Sequence, residues 1–312
     1  LIRTLKLNGS ATSDEHVVNG ITGPLRALSA DGDDLINASA ITSIPTDLRG
    51  GKGLDTILGG AASDTIYGDS DGGEGWADSI SGGAGNDVIY ADGSEGSQNR
   101  ASDSIDGGTG DDIIIGDGAE GSPDTILGGD DNDSINGGGG NDLIDGGWGD
   151  DILLGGDATN GANDTISGGN GRDILIGDTG LPVASVSPGG SDSLNGETDQ
   201  DLIIAGMFVP TLGAPINLAE VRAEWTSGRS LADRIANISG TGVGPRSNAN
   251  SFLVPGINIF NDKPASSTTI VTDVVLGGAD DADWLFIDLS EDSRDIDSAD
   301  TLVDLSFFPA PS

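Results

Sequence analysis

Residues 132–156 read NDSINGGGGNDLIDGGWGDDILLGG, and this stretch decides the fold. Asp133, Asp142 and Asp151 stand nine residues apart, each is followed two residues later by Ile or Leu, and a glycine pair opens each unit. Because side chains alternate across a strand, the pattern predicts a strand of about three or four residues with one inward hydrophobe. Glycine supplies the positive φ angles that a sharp turn between such strands needs.

The same unit, Gly-Gly-x-Gly-x-Asp-x-U-x with U a large apolar residue, recurs fourteen times between residues 50 and 206. The U position holds Ile or Leu in all fourteen copies, from Ile57 to Ile203. A compound pattern matched this often is not a product of chance. The aspartates of the fourteen copies are Asp55, Asp64, Asp78, Asp87, Asp103, Asp112, Asp124, Asp133, Asp142, Asp151, Asp164, Asp173, Asp192 and Asp201.

These units resemble the RTX, or haemolysin-type, calcium-binding nonapeptide repeat, and the resemblance covers about residues 50–206. Its best copies are GGKGLDTIL (50–58), GGAGNDVIY (82–90), GGGGNDLID (137–145) and GGNGRDILI (168–176). The resemblance implies an all-β fold, a parallel β-roll or β-solenoid with two short strands per coil. It also implies Ca²⁺ between stacked turns, held by the fourteen aspartates and by backbone carbonyls, with roughly six to twelve ions in total.

The composition favours a hard cation as partner and excludes several others. The formal net charge is −39, so nucleic acid and anionic lipid would be repelled. The chain has no cysteine and so no disulfide, which leaves a metal as the staple of an extracellular fold. No run of about 18 apolar residues exists, so the sequence predicts no membrane span.

The spacing of the aspartates predicts two different edges. Every odd interval between successive aspartates is nine residues, and the five longer intervals are all even ones. One edge is therefore a regular row of tight turns, and the other carries every insertion. Four aspartates near the start of the inserted loops are predicted as further calcium ligands, with solvated turn residues as the alternative: Asp69, Asp92, Asp117 and Asp178.

The strands that follow the regular turns predict an apolar outer face. Eleven of its fourteen outward residues are apolar, among them Tyr67, Tyr90, Ile113, Ile115, Ile174 and Ile176. An apolar patch of this size is rarely left in water on a monomer. Two alternatives remain for what covers this face. Segment 207–272 folds back onto it with Leu218, Val221, Trp225 and Ile235, or a neighbouring molecule covers it.

The chain is predicted to have four parts. Residues 1–49 form an N-terminal cap with a degenerate repeat around Asp34 and Ile36, and residues 50–206 form the β-roll. Residues 207–272 are an insertion or cap with one or two short helices, whose N-caps are Asn217 and Ser230. Residues 273–312 hold an irregular terminal repeat and an acidic tail.

The sequence predicts a binding or structural protein rather than an enzyme. His16 is the single histidine, so no H-E-x-x-H zinc site exists, and G-x-S-x-G is absent. We expect a secreted calcium-binding structural or adhesive protein of the bacterial surface or extracellular matrix. Fibre formation, self-assembly and binding to a surface glycan are left as alternatives. The alternative is a calcium-triggered folding and type I secretion module of a larger toxin, protease or lipase. A carbohydrate-acting enzyme is the least favoured interpretation.

Overall fold

Short parallel strands dominate the computed structural model of the chain. The structure describes residues 3–6, 14–17, 25–29, 31–69, 75–92, 101–118, 121–157, 161–180, 190–209, 217–241, 253, 259–264, 273–277, 282–287, 292–295, 300–305 and 309–310. The chain divides into two units, Leu1–Asp145 and Gly146–Ser312.

Fourteen strands begin among the described residues of the first unit, and each lies beside the next strand but one in sequence. They are β1 Arg3–Lys6, β2 Glu15–Val17, β3 Leu25–Leu28, β4 Leu35–Asn37, β5 Thr46–Gly51, β6 Thr56–Leu58, β7 Thr65–Asp69, β8 Ser79–Ala84, β9 Val88–Tyr90, β10 Ser104–Thr109, β11 Ile113–Ile115, β12 Thr125–Asp130, β13 Ser134–Gly138 and β14 Leu143–Trp148. The odd strands make the first sheet and the even strands the second, so one coil contributes one strand to each sheet. The all-β parallel solenoid with two strands per coil is thereby confirmed.

The second unit repeats this arrangement around an inserted helical segment. Its strands are β15 Ile152–Asp157, β16 Thr165–Asn170, β17 Ile174–Thr179, β18 Ser193–Thr198, β19 Leu202–Ile204, β20 Met207–Phe208, β21 Ile259–Pro264, β22 Val274–Leu276, β23 Trp284–Ile287, β24 Ser293–Asp295, β25 Thr301–Asp304 and β26 Pro309–Ala310. The first sheet runs β15-β17-β19-β23-β25 and the second runs β16-β18-β22-β24. Because β19 pairs directly with β23, and β18 with β22, the solenoid resumes after the helices.

The register stacks the repeat hydrophobes into two columns inside each unit. Ile57 pairs with Ile80 in the second sheet, and Ile66 pairs with Ile89 in the first. All fourteen U residues, from Ile57 to Ile203, are at most 2% exposed. Each such side chain contributes about 1.5–3 kcal/mol when fully buried. The core is therefore narrow, with one column of aliphatic residues behind each sheet.

The helices are α1 Leu218–Trp225 and α2 Leu231–Ile238, with the expected caps. The Asn217 side chain accepts from the Ala219 amide, and the Ser230 hydroxyl accepts from the Asp233 amide, which satisfies amides that the first turn leaves unpaired. Gly240, with φ of 80°, follows α2, and its positive φ suits the end of a helix. Neither helix in the described part of the chain has the length and apolarity needed to cross a bilayer.

In the second unit the helices cover the apolar face of the first sheet. Val221 and Trp225 of α1 and Ile238 of α2 are fully buried in one cluster with the outward residues Ile174 and Ile176. The indole N–H of Trp225 also donates to the Gln200 carbonyl at 2.9 Å. The predicted fold-back of segment 207–272 is confirmed for this unit. Leu218 and Ile235, two of the expected contact residues, pack at the rim of the cluster and are partly buried.

The same face of the first unit remains partly exposed. Ile113 is 47% exposed, while Tyr67 and Tyr90 stack on each other with ring centroids 4.9 Å apart. The Arg49 guanidinium lies 4.1 Å from the Tyr67 ring centroid, and Arg49 also pairs with Asp47 at 2.9 Å. The two units therefore present this outer face differently.

Candidate metal centre

The aspartates that end the regular turns form a hydrogen-bonded ladder in the first unit. The Asp64 amide donates to Oδ1 of Asp87 at 2.6 Å, and the Asp87 amide donates to Oδ1 of Asp112 at 2.7 Å. The Asp112 amide continues to Oδ1 of Asp133 at 2.8 Å. Thr46 occupies the aspartate place one coil earlier, and its amide donates to Oδ1 of Asp64 at 2.7 Å. One oxygen of each carboxylate thus joins successive coils.

The edge that carries the insertions has an equivalent ladder. The Asp55 amide donates to Oδ1 of Asp78 at 2.8 Å, and the Asp78 amide donates to Oδ1 of Asp103 at 2.6 Å. Asp103 and Asp124 continue the series with bonds of 2.8 Å each, the last of which reaches Oδ1 of Asp142. Insertions in the loops therefore leave the register of this edge intact.

Both ladders extend in the second unit beyond the residues predicted from sequence. On the regular edge the Asp173 amide donates to Asp201 and the Asp201 amide donates to Asp283, both at 2.8 Å. On the other edge the Asp192 amide donates to Oδ1 of Asp273 at 2.8 Å. Four ladder residues were missed as candidate ligands: Asp273, Asp283, Asp292 and Asp300. For three of them the usable signal was an aspartate two residues before an apolar residue, as in Asp283 and Leu285.

The second carboxylate oxygen of most ladder aspartates is buried without a hydrogen-bond partner. In the described part of the chain this holds for Oδ2 of Asp55, Asp78, Asp87, Asp103, Asp112, Asp124, Asp173, Asp192 and Asp201. All nine residues are at most 3% exposed. Asp64 differs, because its Oδ2 accepts from the Gly60 amide at 2.7 Å. A buried ionised carboxylate without compensation is very costly, so these oxygens require a positive partner or a proton.

Six of the nine unpartnered oxygens converge with a backbone carbonyl of the next turn, namely those of Asp55, Asp78, Asp87, Asp112, Asp124 and Asp173. A Cβ placed on Gly82 would lie 2.5 Å from Oδ2 of Asp87 and 2.5 Å from the Gly107 carbonyl oxygen. A Cβ placed on Gly107 would be equally close to Oδ2 of Asp112 and to the Gly128 carbonyl oxygen. The first glycine of the unit therefore keeps open a space lined by two oxygens from adjacent turns.

Burial raises the pKa values of ten ladder aspartates, namely Asp55, Asp64, Asp78, Asp87, Asp103, Asp112, Asp124, Asp173, Asp192 and Asp201. Loss of solvent is the largest cause, and neighbouring carboxylates add to it. On the regular edge the pKa of Asp87 is raised to about 7 and that of Asp112 to about 6. On the other edge the pKa rises to about 9 for Asp78, about 8 for Asp103 and about 10 for Asp124. Without a cation, the buried edge therefore favours protonated carboxyls.

The four additional aspartates are buried beside the ladder of the insertion edge. Asp69, Asp92, Asp117 and Asp178 are at most 7% exposed, so the alternative interpretation as solvated turn residues is wrong. Amide–carbonyl bonds align the first three along the stack, from Asp69 to Ala91 at 3.2 Å and from Asp92 to Gly116 at 3.3 Å. Their charges add to the raised pKa of Asp103. In the first unit the insertion edge thus has a doubled column of carboxylates.

The donor set fits calcium. Only carboxylate and carbonyl oxygens converge at the glycine-lined spaces, and Ca²⁺ prefers oxygen ligands in a flexible number. Oδ2 of the ladder aspartates and the first-glycine carbonyls would hold the ion, and the additional aspartates adjoin it on the insertion edge. A bound Ca²⁺ supplies the positive charge that offsets the buried carboxylates.

Comparison with known proteins agrees with this chemistry. A family model, the RTX calcium-binding nonapeptide repeat (4 copies), matches residues 47–74, 71–95, 99–121, 119–153 and 158–180. No curated protein and no solved structure matches the chain. The matched segments contain the ladder aspartates from Asp55 to Asp173 and both kinds of turn. Residues 47–180 of this parallel β-roll are therefore RTX calcium-binding nonapeptide repeats.

Proposed function

We propose that the chain is a secreted structural or adhesive protein of the bacterial surface or matrix, whose β-roll folds when it binds calcium. The observation that carries the proposal is the series of nine buried Oδ2 atoms without hydrogen-bond partners. A narrow core opposes the repulsion and desolvation of these carboxylates. Calcium, by binding the folded state alone, shifts the equilibrium towards folding.

Extracellular calcium suits such a site. Extracellular calcium modules bind with dissociation constants of about 10⁻⁴–10⁻³ M, well above the calcium concentrations to which intracellular sensors respond. A chain with a net charge of −39 would then stay unfolded inside the cell and fold outside it. Proteins with these repeats are typically secreted, which supports the same location.

A calcium titration of the whole chain followed by far-UV circular dichroism tests the proposal. We expect little β-structure in EDTA and a cooperative gain of β-signal as calcium rises towards millimolar concentrations. Magnesium at equal concentration is the control, because it demands near-ideal octahedral geometry and keeps its waters. A full β-signal in EDTA at neutral pH would contradict calcium-coupled folding.

For the adhesive part of the proposal, the partly exposed face of the first unit is the contact surface we favour. Ile113, at 47% exposure, occupies the same place in the repeat as Ile174, which the helices bury completely in the second unit. Burial of this apolar strip against a second copy of the chain would remove it from water. Sedimentation velocity of the chain in calcium tests self-association, and a monomer at all concentrations would count against it.

We propose no catalytic role for the chain. The buried aspartates at the two edges belong to the ladders or lie beside them, and the sequence holds one histidine and no cysteine for acid–base or nucleophilic chemistry. Fractionation of producing cells tests the location: the proposal expects the protein in the medium or on the surface.

A further inference from the structure

The first coil of the first unit departs from the repeat at its inward position. His16 in β2 pairs with Ile36 in β4, which in turn pairs with Ile57 in β6. His16 therefore stands in the second-sheet column, which Ile or Leu fills in all seven repeat units of that sheet. It is also the only histidine of the chain. An imidazole thus replaces an aliphatic side chain at the end of the hydrophobic column.

This imidazole lies beside two carboxylates of the ladder. Asp14, His16 and Asp34 each offer one donor atom, and these atoms all lie within 4.8 Å of one another. Asp34 is 3% exposed, and its carboxylate accepts from the Asp14 amide at 2.9 Å and from the Ser29 hydroxyl. Hydrogen bonds to backbone and hydroxyl fix the Asp34 carboxylate in position, as the neighbours of metal ligands commonly do.

One nitrogen of the His16 ring makes no hydrogen bond to the described residues. Its Nε2 atom is buried and has no hydrogen-bond partner among the described residues. A buried polar nitrogen without a partner is destabilising, so the position calls for an acceptor or a Lewis acid. An aliphatic residue would avoid this cost, as it does in the repeat units.

The donor set differs in kind from that of the calcium ladders. Calcium takes oxygen ligands, whereas imidazole nitrogen together with carboxylate suits zinc and related divalent transition ions. Zinc ligands at about 2.0–2.1 Å lie closer together than 4.8 Å, so small rotations of the side chains close the site. Water would complete the coordination of a three-residue site.

We propose that Asp14, His16 and Asp34 bind one divalent transition ion of the zinc class at the N-terminal end of the β-roll. The site adjoins the calcium ladder, because the Asp34 amide donates to Oδ1 of Asp55 at 2.8 Å, and it selects its ion by the histidine nitrogen. Binding there ties β2 to β4, which pair in parallel. A metal that binds only the folded state stabilises it by mass action.

Co²⁺ is the probe, because its visible absorption reports nitrogen–oxygen coordination directly. The untagged chain, saturated with calcium to fill the ladders, is titrated with Co²⁺ and then with Zn²⁺. We expect one equivalent of Co²⁺ to produce visible bands that Zn²⁺ abolishes. The matched variant is His16→Ile, which restores the residue type of the repeat. It should keep the calcium-dependent β-signal and lose the cobalt bands; cobalt bands unchanged in this variant would overturn the proposal.

Ring-nitrogen NMR of the wild-type chain gives an independent measurement that needs no variant. Because His16 is the single histidine, its imidazole signals are assigned at once. The proposal predicts that the ¹⁵N shift of one ring nitrogen changes until one equivalent of Zn²⁺ is added. Signals that do not respond to Zn²⁺ would overturn the site while leaving the calcium titration, and so the proposed function, unaffected.

Discussion

The amide of Asp87 donates a hydrogen bond of 2.7 Å to Oδ1 of Asp112, one coil further along the stack. That bond occupies one carboxylate oxygen and leaves Oδ2 of Asp112 buried without a hydrogen-bond partner, facing the open space at Gly107. The same division of roles recurs at both edges. The hydrogen bonds to Oδ1 set the register of the coils. The buried Oδ2 atoms, which have no hydrogen-bond partner, require a cation to offset their charge.

Gly82→Ala should weaken calcium binding, because the new methyl group would occupy the space between Oδ2 of Asp87 and the Gly107 carbonyl. Overpacking of this kind costs about 1–3 kcal/mol before any loss of metal is counted. Differential scanning calorimetry in calcium should show a lower Tm. Gly228→Ala is the matched control, since a Cβ there has nothing within 4 Å. Equal melting temperatures for the two variants would contradict the glycine-lined site.

Asp103→Asn should change stability in opposite directions with and without calcium. The Asn carbonyl keeps the 2.6 Å bond from the Asp78 amide and removes a buried charge that crowds Asp92, Asp69 and Asp117. We therefore expect a more stable metal-free chain at pH 8 and a smaller gain on adding calcium. Urea unfolding in EDTA and in calcium measures both. A loss of stability in EDTA as large as that in calcium would show that Asp103 acts through packing alone.

Acid should stabilise the metal-free β-roll. The folded-state pKa values of Asp55 and Asp124, about 7 and about 10, lie above the unfolded value of about 3.9. Their contribution is therefore fully present below pH of about 4 and is lost as pH rises through the folded pKa values. Circular dichroism in EDTA should show more β-structure at pH 4 than at pH 8. A metal-free chain that gains structure towards pH 8 would contradict this sign.

Calcium binding should have the opposite pH dependence, because the ion needs ionised carboxylates. Protons compete below the raised pKa values, so the apparent affinity should fall as pH drops from 8 to 5. Calorimetric titrations in two buffers with different ionisation enthalpies would reveal proton release at neutral pH. No proton release at pH 7 would mean that the ladder carboxyls are ionised before calcium arrives.

The sequence was sufficient for the repeat because the periodicity repeats the same physics in every coil. One hydrophobe, one glycine turn and one aspartate fix the strand, the bend and the ladder at Asp87 as they do at Asp173. The next ladder members beyond Asp201, Asp273 and Asp283, were not predicted as ligands because they follow an inserted helical segment and depart from the glycine spacing. No glycine pair precedes Asp273 closely, and Gly277 stands six residues before Asp283 where the repeat has five. Asp192 and Asp273 are 81 residues apart, and Asp201 and Asp283 are 82 residues apart, so no short sequence spacing indicates that these residues are hydrogen-bonded.

The sequence limited what covers the apolar face to two alternatives, segment 207–272 or a neighbouring molecule, but could not choose between them. An apolar strip predicts a partner without saying whether the partner belongs to the same chain. Trp225 packs against the apolar face in the second unit, and its indole N–H donates a hydrogen bond to the Gln200 carbonyl. The sequence does not show this hydrogen bond, because only the folded chain brings the two residues together. The cluster around His16 was missed for a similar reason: Asp34 lies 18 residues further along the chain and meets His16 only through strand pairing.

Lysine substitutions at two matched positions should separate the covered face from the partly exposed one. Ile174→Lys places a charge in a fully buried cluster, so we expect a loss of about 3 kcal/mol or more in unfolding free energy. Ile113→Lys, at a side chain 47% exposed, should cost less than about 1 kcal/mol and should reduce any self-association. Chemical denaturation and sedimentation velocity in calcium give the two readouts. Similar destabilisation by both substitutions would mean that the first unit is also covered.

The location of bound calcium tests the central claim most directly. An anomalous difference map from crystals of the calcium-bound chain, collected at a long wavelength, would place each ion without assumption. The account predicts rows of peaks along both edges, each between an aspartate Oδ2 and the carbonyl of the next turn, as at Asp112 and Gly128. Peaks confined to surface loops, with the ladder aspartates uncoordinated, would contradict it.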